Sequence, residues 1–117
     1  MEEIRLETQI RALSQLAVID VSGEIDLYTA PQFKRALADT IDDGHRHIVV
    51  NMKQVSYMDS SGFGTLLGAT KRVRPDGGSV NLVGCNDAIH RMLRITRLNT
   101  VFGIFDDEDA AILALNA

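Results

Sequence analysis

Met58-Asp59-Ser60-Ser61-Gly62-Phe63-Gly64 is the stretch whose residue types and spacing can do chemistry. Aspartate and serine side chains accept hydrogen bonds from the free amides at a helix start. Phe63, Leu66, Leu67, Thr70 and Val73 then follow at helical spacing. Asp59 or Ser60 is the expected cap, which sets the Ser60 hydroxyl near the surface at the positive end of the helix dipole. A phosphate on that hydroxyl adds roughly −1.5 to −2 charges, which helix-start amides tolerate, so the fold survives while the surface changes sign. Asp26 follows the second expected strand, where a turn at Gly23-Glu24 can bring it to the same end of the sheet. Asp26, Asp59 and a modified Ser60 would then form a cluster of three negative groups. A partner shaped for the unmodified surface would meet like charge costing several kcal/mol. About 3 kcal/mol is already a hundredfold in affinity. The plainer reading of Asp-Ser-Ser before an apolar helix is a cap and nothing more.

Glycine is costly in this helix, at about 1 kcal/mol per residue relative to alanine. Gly62 and Gly64 therefore imply close approach by another backbone or a partner, and Gly68 implies packing of the helix on the sheet. Other constellations fall short of a function. Gly62-x-Gly64-x-x-x-Gly68 misses the dinucleotide fingerprint by one residue, and the chain has no Gly-Lys-Ser/Thr of a phosphate-binding loop. Ser60 and Ser61 lie outside any Gly-x-Ser-x-Gly elbow, so a hydrolase is the weaker reading and no catalytic residue is assigned. His45-x-His47 has no third ligand nearby, which leaves no metal site and no cofactor. Cys85, after an apolar strand, reads as a small buried side chain. Arg91, Arg94 and Arg97 recur every third position, as on the wet face of a helix, and are also suited to touching an acidic partner.

The elements that must hold Ser60 follow from periodicity. Ile4, Leu6, Thr8 and Ile10 alternate with polar residues, as in an edge strand, and Arg11 to Gln15 can turn the chain into a second strand from Leu16 to Val21 that stops at Gly23. Thr29-Ala30-Pro31-Gln32 announces a helix through a capping box and a first-turn proline, with Phe33, Leu37 and Ile41 as its buried stripe. His47 to Met52 is rich in β-branched residues and reads as a central strand. After the Ser60 helix, Pro75-Asp76-Gly77-Gly78 breaks the pattern and Val80 to Val83 makes a short strand. A third helix, capped at Asn86-Asp87, buries Ile89, Met92 and Leu93. A strand at Val101 to Phe105 and a helix from Asp107 to about Leu115 complete the order. The order β-β-α-β-α-β-α-β-α predicts an α/β fold, a mostly parallel mixed sheet with an antiparallel edge strand and about four helices.

Composition narrows the function. A chain of 117 residues fits one domain, expected over 1–117. The net charge of −4 argues against a general nucleic-acid binder, and the 5% aromatic content leaves little for base stacking. No run approaches the roughly 18 apolar residues that cross a bilayer, so no membrane partner is expected. A start without a basic and apolar leader, together with a single cysteine, favours the cytoplasm.

Gly23-Glu24-Ile25-Asp26, Val49-Val50-Asn51-Met52 and, most specifically, Met58-Asp59-Ser60-Ser61-Gly62 resemble the anti-sigma factor antagonists of the STAS domain family. Arg91-Met92-Leu93 through Leu98 and Val101-Phe102-Gly103-Ile104 match that family's third helix and last strand, so the resemblance covers nearly the whole chain. The resemblance implies a protein that is not an enzyme. Unphosphorylated, it would capture an anti-sigma factor with serine kinase activity and free a sigma factor. Phosphorylation at Ser60 would inactivate it, and a metal-dependent serine phosphatase would restore it. Asp26, Asp59, Ser61 and Gly62 would line the partner surface. The alternative implied by the same family is a non-switching subunit of a transporter, lipid-transport or stress-signalling assembly. Two departures stand out: Arg97 lies where relatives often carry glycine, and Phe63 replaces a common leucine.

Overall fold

A computed structural model describes residues 5–116. The elements are β1 (Leu6–Leu13), β2 (Leu16–Ile25), α1 (Ala30–Asp42), β3 (His47–Met58), α2 (Ser60–Val73), β4 (Ser79–Val83), α3 (Asp87–Ile95), β5 (Gly103–Phe105) and α4 (Glu108–Leu115). The five strands form one mixed sheet in the order β1-β2-β3-β4-β5, with β1 antiparallel to β2 and the other pairs parallel. Each parallel crossover steps one strand in the same direction, and the right-handed rule puts their helices on one face. The core agrees. Ile19, Val50 and Leu82 of the sheet join Phe33, Leu66 and Leu93 of α1, α2 and α3 in one cluster. Leu16, Val18, Val49 and Val83 join Ala111 of α4 in a second cluster on the opposite face.

The sequence expectations hold in outline and fail in instructive places. Ile4 lies outside the described residues. Ile10 pairs with buried Ile19 and shares its face, yet is 40% exposed because β1 is the sheet edge. Only Ser14 and Gln15 form the hairpin turn, since Leu13 already pairs with Leu16, and Ser14 adopts φ 54° as a tight two-residue turn requires. β2 does not stop at Gly23. It continues to Ile25 because Gly23 takes φ 118° and lets the Arg5 carbonyl approach, where it accepts from the Glu24 amide at 2.9 Å.

β3 is twice the expected length. Along it the pairing with β2 slips twice, between Asp20 and Ser22 and between Gly23 and Glu24, and β3 contributes the extra residue each time. The bulges set Met52, Val55 and Met58, each three residues apart, into the core.

The expected Thr29–Gln32 capping box at α1 is replaced by another arrangement. Thr29 Oγ1 donates to the Glu24 carbonyl at 2.7 Å and Gln32 Nε2 to the Leu6 carbonyl at 3.1 Å, while Asp26 caps the turn. Phe33, Leu37 and Ile41 are buried as the spacing predicts. In α3, Ile89 and Leu93 are buried, but Met92 is 42% exposed.

Candidate functional site

Strands β2 and β3 deliver the site at their shared C-terminal end. Ile25 pairs with Met58, and the Asp59 amide donates to the Ile25 carbonyl at 3.0 Å, which fixes the start of α2 beside the β2–α1 loop. Asp59 is the cap. Its backbone is extended and its carboxylate accepts from the Ser61 amide at 2.8 Å, while its carbonyl receives the Gly62 amide at 3.1 Å. Ser60, the first helical residue, is exposed. Because Asp59 holds the cap, the Ser60 hydroxyl is not committed to it.

Ser61 is half-buried, and its carbonyl accepts from Thr65 Oγ1 at 2.8 Å. Gly62 lies beneath this surface. A Cβ there would stand 2.6 Å from Met58 Sδ and 2.8 Å from Ile25 Cγ2, so only glycine lets α2 start flush against both strand ends. The close approach expected at Gly62 thus comes from side chains of the chain itself. Gly64 and Gly68 differ: a Cβ at either meets nothing within 4 Å. The packing role expected for Gly68 is therefore incorrect. Both glycines open onto a groove of about 380 Å³ between α1 and α2, lined also by Leu37, Ile41, Lys34 and Arg72.

Asp26 stands one residue past Ile25. Its Oδ1 accepts from the Tyr28 and Thr29 amides at 2.9 and 3.0 Å, and its Oδ2 is ion-paired with Arg5. Partial desolvation opposes ionisation, but those two amides and the Arg5 charge outweigh it and hold the Asp26 carboxyl below its ordinary value. Arg5 also lies over the Tyr28 ring, 5.9 Å from its centroid. The expected cluster of bare negative groups is accordingly softened by a cation that periodicity did not single out.

The other unanticipated feature is apolar. Leu27, Tyr28 and Tyr57 are 69%, 80% and 52% exposed, on the loop after β2 and at the end of β3. Large apolar side chains in so short a strand-to-helix loop were the available signal.

The remaining candidates sit elsewhere. His47 Nδ1 lies 2.8 Å from Ser79 Oγ at the opposite end of β3, and no cluster of metal-ligating residues occurs among the described residues. Cys85 packs against the core, and burial pushes its thiol up to about 11, away from the range of a reactive thiolate. Among the described residues no helix is long and apolar enough to cross a membrane. Arg97 adopts φ 62°, which accounts for the glycine expected at that position.

Comparison with known proteins gives the site its context. Residues 7–111 match the family model of the STAS domain. An anti-sigma-B factor antagonist of Staphylococcus aureus is 36% identical over 86 residues, covering 74% of this chain and 80% of that protein. The crystal structure of an anti-sigma factor antagonist from Mycobacterium paratuberculosis superposes with a TM-score of 0.88 at 25% identity, over 96% of this chain and 95% of that one. The Bacillus cell fate determinant SpoIIAA in its phosphorylated form shares the fold, with a TM-score of 0.73 at 21% identity over 95% of this chain and 100% of that one. Antagonists of this family are regulatory binding proteins rather than enzymes. The chain therefore belongs to the STAS domain family, and within it is similar to the anti-sigma factor antagonists.

Proposed function

We propose that this chain is a phosphorylation-gated anti-sigma factor antagonist. Unphosphorylated, it binds an anti-sigma factor that is also a serine kinase, and so releases a sigma factor. Transfer of a phosphate to Ser60 ends that binding, and a metal-dependent serine phosphatase resets the switch. The observation that carries this reading is the division of labour at the start of α2: Asp59 caps the helix and leaves the neighbouring Ser60 exposed.

In that position a phosphate gains from the helix dipole and adds roughly −1.5 to −2 charges beside Asp59. The domain keeps its fold while the surface that meets the partner turns strongly negative. A loss of about 3 kcal/mol, a hundredfold in affinity, is within reach of like-charge contact at an interface. The relatives' names and the phosphorylated form of SpoIIAA support the same direction.

The test is incubation with the anti-sigma kinase of the same organism and ATP, followed by intact-mass and peptide analysis. One phosphate on Ser60, absent in Ser60→Ala, is expected; a phosphate on Ser56 or Ser61 instead refutes the assignment. In calorimetry Ser60→Ala should bind the kinase as the unmodified protein does and Ser60→Asp should bind far more weakly. Equal affinities would rule out exclusion by charge.

A further inference from the structure

Helix α3 turns one face to solvent that the fold does not use. At 100° per residue, Arg94, Arg91, Ile95 and Met92 fall side by side, opposite the buried pair Ile89 and Leu93. Ile95 is 67% and Met92 42% exposed, and all three arginines of the helix and its end, Arg91, Arg94 and Arg97, are exposed. The ion pairs of the described residues engage Arg5, Arg11, Arg46 and Arg72, and none engages these three. Asp87, in the first turn, is on the same face, and none of the ion pairs among the described residues joins it to them. A chain of net charge −4 thus carries, on this face of α3 and just past its end, three guanidinium groups that no ion pair among the described residues engages, around two exposed aliphatic side chains.

We propose that this face is a docking surface for an acidic amphipathic segment of the anti-sigma factor, a second contact beside the Ser60 site. The choice of occupant rests on the function proposed above. Three arguments favour it. Guanidinium groups pair carboxylates through two parallel hydrogen bonds, and Met92 and Ile95, three residues apart, suit the apolar stripe of a helix.

Second, α3 begins next to the candidate site, since its cap Asn86 donates to the carbonyls of Val55 and Ser56 at 3.4 and 3.3 Å, just before Asp59. Third, a stable interface buries about 800 Å² per partner, so a protein seated on Ser60 extends over neighbouring elements, and α3 is one of those that adjoin the site. Two aliphatic side chains give little to a bilayer, and the net charge disfavours nucleic acid.

The assay is calorimetric titration of the anti-sigma kinase into the wild-type chain, Ser60→Ala, Ser60→Asp, Arg91→Glu/Arg94→Glu and Ile95→Ser. Wild-type melting behaviour serves as the fold control, and Arg91→Gln/Arg94→Gln replaces the reversed pair if that variant misfolds. The expected result is a loss of about tenfold or more for the reversed arginines and a smaller loss for Ile95→Ser. Raising sodium chloride from about 0.1 to about 0.5 M should weaken the wild type and leave the reversed variant almost unmoved.

Tight wild-type binding that the α3 variants leave unchanged while Ser60→Asp abolishes it overturns the docking surface alone. Wild-type protein that does not bind the kinase refutes the proposed function and this occupant with it. Self-association in sedimentation, or binding to phosphatidylglycerol vesicles, that disappears in Arg91→Glu/Arg94→Glu would assign the face to a second copy or to a membrane and overturn the proposal.

Discussion

Replacing Gly68 by alanine should stabilise this protein. Gly68 lies in the interior of α2, is exposed, and a Cβ built on it has no neighbour within 4 Å. The added methyl therefore costs no packing, and the substitution removes the conformational freedom that glycine brings to the unfolded chain, about 1 kcal/mol in favour of the folded state. Gly64 has the same open surroundings, so Gly64→Ala should add a similar amount and the pair about 2 kcal/mol if the two sites act independently. For a domain near this size each kcal/mol is worth about 4 °C in melting temperature. Gly62→Ala is the internal control. Its Cβ would press on Met58 and Ile25, and overpacking of that kind costs about 1–3 kcal/mol. Equilibrium urea unfolding at constant m-value, with thermal melts beside it, reads all three. A Gly68→Ala protein no more stable than the parent would show that the groove between α1 and α2 is closed in solution, and the reasoning from open space would fail.

Two further predictions concern strain and charge. Arg97→Gly should raise stability by about 1 kcal/mol, because the left-handed backbone at φ 62° is disfavoured for a side chain with a Cβ; an unchanged urea midpoint would show that another contact offsets the strain. The Asp20 carboxyl is held below its ordinary value mainly by hydrogen bonds from Arg11, against partial desolvation, with help from Asn51. Its stabilising contribution is complete above the unfolded value near pH 4 and declines as the pH falls through the lowered folded value. Asp20→Asn should therefore show a shallower loss of stability on acidification than the parent, and parallel urea midpoints from about pH 6 to about pH 3 would contradict the assignment.

The parts legible in the sequence are those where one local rule operates alone. The buried stripe of α1, the cap of α3 at Asn86 and the antiparallel β1–β2 pair follow from periodicity and turn chemistry, and Asp59 was one of the two residues that could cap α2. The second half of β3 was hidden because two bulges change its buried spacing from two to three, so Lys53 to Met58 matches neither a strand nor a helix template. Thr29 and Gln32 satisfy a capping-box pattern, yet distant carbonyls of Glu24 and Leu6 claim their side chains, a tertiary choice that no local window contains. The Arg5 ion pair to Asp26 has the same origin, since it spans a hairpin. Ser60 itself is legible as a position, and the role proposed for it comes from family resemblance rather than from the physics of a helix start.

The strand order carries a consequence for synthesis. Every strand pairs with the strand next to it in sequence, so no strand waits for a distant strand. Each closure spans one crossover, and its entropy cost grows only slowly with that length. A ribosome releasing this chain would expose β1, β2, α1, β3 and α2 in turn, and everything that frames Ser60, from Arg5 through Gly62, is out before β4 begins. The surface proposed as the switch can thus take shape on a half-made protein, with α3 and its arginines arriving later beside it.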